Sequence, residues 1–170
     1  GTDLRPLRLT REHTAMTPRT EPLPLNAARA QIVHEVIRPA LESGQIVLCD
    51  RFADSTLAYQ GYGYGQDREE LALLIRYATG GLTPDLTFYL DVAPEVGLAR
   101  KRSGSVEEWN RLDARTLAFH RAVAAGYAGL MAAEPARWCR IESDREAQAV
   151  HRAIVAQMTA RLPLPAGEHL

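Results

Sequence analysis

The chain has 170 residues, 46% of them hydrophobic, with 21 acidic against 20 basic side chains and a net charge of −1. That balance supplies no global field to gather nucleic acid or an anionic membrane, and no apolar run approaches the ~20 residues of a membrane-spanning helix. The two cysteines, Cys49 and Cys139, are too few for a disulfide framework and lack metal-ligand spacing.

With nothing at its start that reads as a secretory leader, the chain is expected to be a cytoplasmic protein of one domain, residues 1–170. Both thiols are expected to be buried in a reducing compartment. No metal site, nucleic-acid partner or membrane partner is expected. Residues 1–25 carry Pro6, Pro18, Pro22 and Pro24 and little periodicity, so they are expected to be irregular. Asn26 is placed to cap a helix in which Ile32, Val33, Val36, Ile37, Ala40 and Leu41 recur at helical spacing, with Pro39 as a kink and Gly44 as its end. Gln45–Cys49 reads as a short buried strand that opens into a polar loop, where Gly61, Gly63 and Gly65 suit a flexible turn.

Asp67 is a cap for the next helix, with Leu71, Leu74, Ile75 and Ala78 on one face and Gly80-Gly81 as its stop. Leu86–Val92 reads as a second buried strand, and Pro94–Arg102 as a helix that runs into a charged, glycine-containing segment. Helices about Asp113–Ala133 and Arg145–Arg161 flank a strand-like Trp138–Ile141, and residues 163–170 form a tail expected to fray. Strands that alternate with helices imply an α/β fold with parallel strands and helical crossovers. About three strands is few for a doubly wound sheet. The five histidines have no metal-ligand spacing and suit solvent-facing helix positions.

The chemistry concentrates in Cys49-Asp50-Arg51-Phe52-Ala53-Asp54-Ser55-Thr56-Leu57-Ala58-Tyr59-Gln60-Gly61. An acid beside an arginine at the carboxyl end of a strand stands where open α/β sheets bind ligands. The planar fork of Arg51 suits bidentate binding of a phosphate. Asp50 suits a magnesium-bound water, an orienting bond to the arginine, or a plain strand-end cap. Tyr59 and Gln60 offer a ring and a two-way amide to a base and sugar. Ser55 and Thr56 offer hydroxyl contacts or a helix cap. Lys101 is the only lysine and lies between Arg100 and Arg102, so no G-x-x-x-x-G-K-[ST] phosphate loop exists within these residues.

As a whole, the Asp-Arg-aromatic … Ser-x-x-Ala-Tyr-Gln-Gly run resembles the signature of thymidylate kinases, which pass a phosphoryl group from ATP to dTMP. Ala27-Ala28-Arg29-Ala30-Gln31 resembles the family's thymine-reading helix, with Leu25 where the family has a stacking phenylalanine. Arg100-Lys101-Arg102 … Asn110-Arg111-Leu112-Asp113 resembles its basic lid (residues 100–113), and Ile141-Glu142-Ser143-Asp144 its adenine loop. Thr83–Val92 resembles its core strand, and the similarity covers roughly residues 13–155.

The resemblance implies a three-layer α/β fold: a parallel sheet with helices on both faces, of the phosphate-loop nucleoside monophosphate kinase kind. The N-terminal strands and the phosphate loop are expected to be missing. It implies dTMP and ATP with Mg2+ as substrates and cofactor, and a homodimer. It assigns Asp50, Arg51 and Arg111 to catalysis and Arg29, Arg51, Ser55, Thr56, Tyr59 and Gln60 to dTMP. Arg102 and Glu142 fall to the ATP side. Without the phosphate loop, the isolated chain is expected to transfer negligible phosphate. Two other readings stay open: a non-catalytic remnant that binds deoxynucleotide or serves as an interaction module, and a kinase for another nucleoside monophosphate.

Overall fold

The computed structural model describes residues 16–103 and 112–162. It is a helix-rich α/β structure with a small parallel sheet. The chain enters through helix α1 (Pro22–Ile32), which continues as a π-helical turn, Val33–Ile37, and α2, Arg38–Glu42. Residues 22–25 are therefore helical rather than irregular as expected, and Pro22 begins the helix. Proline's fixed φ suits the first turn, whose N–H groups have no intrahelical partner. Asn26 lies inside the helix rather than at its cap, and its Nδ2 donates to the Pro22 carbonyl at 2.8 Å. Pro39 likewise sits in the first turn of α2, and Gly44 ends the run at φ +79°.

Gln45–Cys49 is the main correction to the expected architecture. The segment forms no strand, and Ile46 and Leu48 are 61% and 85% exposed. Apolar β-formers need a neighbouring strand to bond them and a surface to cover them. Among the described residues β1 (Thr87–Asp91) pairs only with β2 (Trp138–Glu142). Cys49 is accordingly exposed, against expectation, while Cys139 in β2 is buried. The sheet thus has two described strands rather than three, in parallel register from Thr87↔Trp138 to Asp91↔Glu142. β1 is only half-buried, with Leu90 exposed.

Between the strands run α5 (Pro94–Ser103) and α6 (Leu117–Ala133), the helical crossover that parallel pairing requires. Helix α6 begins four residues later than its apolar pattern suggests: Thr116 is the cap and accepts from Phe119 N at 3.3 Å. Helix α7 (Ala147–Arg161) closes the described chain.

The signature run is itself helical. A single turn, α3 (Ala53–Thr56), passes directly into a π-helix, Leu57–Gly63, where the sequence suggested a flexible glycine turn. The core explains the difference. Ala58, Leu112, Phe119 and Val123 form one buried cluster with Tyr59, Tyr64, Tyr127 and Leu130 packed on it, so α6 lies tightly against the π-helix. Glycines permit that approach: a Cβ on Gly63 would stand 2.7 Å from the Phe119 ring, and one on Gly126 2.7 Å from Tyr62. Helix α4 (Arg68–Thr79) packs on α1, capped as expected by Asp67, whose Oδ1 accepts from Glu69 N and Glu70 N. Gly80 ends it in the left-handed conformation, and Arg38 donates to the Thr79 and Gly80 carbonyls at 3.2 and 2.9 Å.

His34 and His151 face solvent as expected, whereas His120 packs edge-on against Phe119. His13, His169, residues 163–170 and most of the lid-like segment lie outside the described residues. Gly126→Ala is expected to cost about 1–3 kcal/mol, because the added methyl overlaps the Tyr62 ring in a packed core. Urea unfolding of the variant beside a surface alanine substitution checks it.

Candidate functional site

The signature run turns sharply before its helix begins. Arg51 has φ +62°, the only non-glycine residue with positive φ among those described. That conformation costs of order 1 kcal/mol for a residue with a Cβ and persists only where its surroundings impose it. Here Arg51 Nη2 donates to the Tyr59 hydroxyl at 3.1 Å, and the guanidinium lies over the Tyr59 ring at 5.0 Å. The turn thereby presents an exposed cation backed by an aromatic ring. Asp50, also exposed, makes no side-chain hydrogen bond among the described residues.

The three residues that follow on α3 point to three different anchors. Asp54 Oδ1 and Oδ2 accept from Arg137 Nη2 and Nη1 at 2.7 and 2.9 Å, a two-pronged ion pair whose side chains are 11% and 13% exposed. Arg137 also donates to Thr87 Oγ1 at 3.1 Å and pairs with Glu134, so one guanidinium ties the signature to the start of β1 and β2. Burial opposes the charge of Arg137, but the bonds from Asp54 and Glu134 outweigh it and hold the guanidinium above its usual range. Ser55 Oγ lies 2.8 Å from the Tyr127 hydroxyl. Burial pushes the Tyr127 phenol up to about 12, despite the Ser55 bond and nearby Arg51. Tyr89 of β1 stacks on Tyr127 at 5.0 Å, and burial, with Asp91 nearby, raises its phenol too.

Thr56, the third, is fully buried, and its Oγ1 accepts from Arg29 Nη2 at 3.0 Å. Arg29 reaches across from α1. Its Nη2 also donates to the Phe52 carbonyl at 3.2 Å, its Nη1 donates to Asn26 Oδ1 at 2.6 Å, and its plane covers the Phe52 ring at 5.5 Å. Gln60 is equally buried, and its Nε2 donates to Glu21 Oε2 at 3.2 Å. The Tyr64 hydroxyl donates to the other Glu21 oxygen at 3.1 Å. Six of the expected site residues (Arg29, Arg51, Ser55, Thr56, Tyr59 and Gln60) thus lie along one helical run, its entry turn and the adjoining α1.

A sequence model described as "Thymidylate kinase" matches residues 2–154 of the chain. The thymidylate kinase of Roseiflexus castenholzii is 51% identical over 167 residues, covering 92% of this chain and 73% of that relative. Those of a second Roseiflexus and of Thermomicrobium roseum are each 50% identical, over 92% and 85% of this chain and 74% and 69% of their own lengths. The chain belongs to the thymidylate kinase family.

The family's donor side is less built. Arg111 lies outside the described residues. Arg102 is exposed in the last turn of α5, and Glu142, at the carboxyl end of β2, is paired with Arg145. Asp91, its register partner, accepts from Arg140 Nε at 2.6 Å, and Arg100 holds the following loop through Ser143 and Asp144. The lone lysine, Lys101, sits 3.7 Å from Asp113. Among the described residues no group of three His, Cys, Asp or Glu side chains is placed to hold a metal. No helix among the described residues is long and apolar enough to cross a membrane.

Sequence reasoning missed Glu21, Tyr127 and Arg137 because nothing local marks them, and it read Asn26 as a cap. Asp54 stood inside the signature without a role. Asp54→Ala is expected to cost about 3 kcal/mol by stranding a buried guanidinium. In urea unfolding, Asp54→Ala with Arg137→Met should lose less than the sum of the two single variants.

The raised Tyr127 phenol carries a pH signature. Its folded-state value of about 12 lies above the ordinary 10, so the folded chain retains a proton that the unfolded chain releases. Its contribution is complete below pH 10 and fades as pH rises toward 12. About 1 kcal/mol should disappear between pH 9 and pH 11, and Tyr127→Phe should flatten that loss in denaturant titrations.

Proposed function

We propose that this chain carries the acceptor side of a dTMP kinase, ATP + dTMP → ADP + dTDP, a step in the supply of dTTP. The observation that supports this best is the pairing of two chemistries in one run. Arg29 and Gln60 are buried polar groups held by Asn26 and Glu21, while Arg51 stands exposed in a strained turn four residues before Ser55. A buried donor and a buried amide suit the edge of a base. An exposed guanidinium suits a phosphate.

In this reading Arg51 holds the acceptor phosphate, its guanidinium steadied by the Tyr59 hydroxyl and ring. Arg29 and Gln60 read the base, with Thr56 fixing the arginine. Tyr59 backs Arg51 and faces the sugar, and Ser55 adds a hydroxyl steadied by Tyr127. Asp50 stands beside the transferred phosphate. Arg111 belongs to the lid that closes over it, with Arg102 and Glu142 toward the ATP. When bound, ATP supplies the γ-phosphoryl group and Mg2+ neutralises its charge. Beyond the described residues, the reading includes a parallel sheet covered by helices on both faces, a single domain, a homodimer and a cytoplasmic setting.

A second reading, a non-catalytic deoxynucleotide binder, is favoured by Leu25 at the stacking position and by the absence of G-x-x-x-x-G-K-[ST] from these 170 residues. Calorimetric titration with dTMP tests the acceptor reading. The chain is expected to bind dTMP, and Arg51→Ala to weaken it by about 10- to 100-fold, the loss of a charge-assisted pair of bonds. No binding by either protein would overturn the reading. ADP formation from dTMP and ATP is expected to be negligible, and a measurable rate would overturn the inactivity of the isolated chain.

A further inference from the structure

We propose that Tyr127 is a positioning residue for the acceptor phosphate: its phenol donates to Ser55 Oγ and so leaves the Ser55 proton as a donor for a phosphate monoester. This rests on the reading above that Arg51 holds that phosphate.

The argument is a count of protons. A hydroxyl carries one proton and can also accept, so two hydroxyls that share one hydrogen bond use one proton and leave the other over. Ser55 Oγ and the Tyr127 oxygen stand 2.8 Å apart, and neither makes another side-chain hydrogen bond among the described residues. The spare proton belongs to whichever of the two accepts. A phenol is far more acidic than an alkyl alcohol, so Tyr127 is the better donor. Arg51 also lies close enough to act on the phenol, and a cation attracts the oxygen lone pairs and turns the proton away from itself. Both effects leave the spare proton on Ser55.

The Tyr127 ring is held in place to do this. Tyr89 of β1 stacks on it at 5.0 Å, and Trp138 of β2 meets it edge-on at 6.3 Å. Tyr59 repeats the polarity. A guanidinium has donors only, so the Tyr59 oxygen accepts from Arg51 Nη2 at 3.1 Å and its own proton points elsewhere. Arg51 is bonded to no carboxylate among the described residues, and Asp50 acts on it only through space. The result is a cluster of donors around a guanidinium whose charge no bonded anion offsets, which is the chemistry of an oxyanion site. Arg51 is exposed and Ser55 and Tyr59 are half-buried, so the cluster is open to a ligand, unlike the fully buried Thr56 and Gln60.

The test is calorimetry with dTMP on the chain, on Tyr127→Phe, on Ser55→Ala and on the double variant, with thymidine as the ligand that lacks the phosphate. Tyr127→Phe keeps the ring and removes the donor, and the freed Ser55 hydroxyl can then bond a carbonyl of its own helical turn, as serines do. Ser55→Ala is expected to weaken dTMP by about tenfold and Tyr127→Phe by about threefold or more. The double variant should bind like Ser55→Ala, because the phenol acts only through that hydroxyl. Affinity for thymidine should not change. A Tyr127→Phe chain that binds dTMP like the parent, loses affinity equally with and without Ser55, or loses as much for thymidine would overturn the role of Tyr127 and leave the Arg51 reading standing. A parent chain that does not bind dTMP would overturn both.

Should Tyr127→Phe fail to fold, Ser55→Ala decides. A loss for dTMP with none for thymidine would support the Ser55 proton as a phosphate donor, and unchanged affinity for dTMP would overturn the inference.

Discussion

The fork between Arg137 and Asp54 is the constraint on which the site depends. The signature run has little covering of its own: the chain before it is exposed, and its first residue of interest sits in a left-handed turn. What locates it is a part-buried guanidinium that bonds Asp54, Glu134 and Thr87 at once. That one group connects α3, the end of α6 and the first residue of β1. Buried ion pairs are weak sources of net stability against an apolar alternative, but they are unforgiving about geometry. Here geometry is the valuable product. With Asp54 fixed, Ser55 must face Tyr127 and Thr56 must face α1, because successive helical residues point about 100° apart.

The π-helix that follows serves the same end. Seven residues, Leu57–Gly63, keep Ala58 in the core while Gln60 stays buried toward Glu21. The wider turn is tolerated because Gly61 and Gly63 remove side chains where Arg68, Phe119 and Val123 press in. π-helical turns carry poorer hydrogen-bond geometry than α-helix and recur at functional sites. In this chain the distortion lies in the run that holds Tyr59 and Gln60, and the cost is met by packing against α6.

Much of this was legible in the residues. The helix caps at Asp67 and Gly80 and the strands at Thr87 and Trp138 follow from local patterns. What was not legible has a common cause: it depends on partners far along the chain. Tyr127 and Arg137 lie 72 and 83 residues from the side chains they hold, so no window shows them. Gln45–Cys49 failed for the complementary reason. Its apolar composition is that of a strand, but strand formation needs a bonded neighbour, and composition cannot report whether one is adjacent. Glu21 was passed over because a carboxylate near prolines reads as a solvated turn, while the fold buries it between Gln60 and Tyr64.

Leu25 marks the sharpest departure from the family pattern, and the packing around Arg29 bears on its meaning. Aromatic stacking adds about 1 kcal/mol beyond burial, so an aliphatic residue at a base-stacking position weakens a ring contact without reversing it. Arg29, however, already covers the Phe52 ring at 5.5 Å and is bonded to the Phe52 carbonyl. The aromatic residue of the signature therefore steadies Arg29, while Leu25 is half-buried on the same helix. Under the proposed dTMP reading, affinity for the base leans on hydrogen bonds more than on stacking.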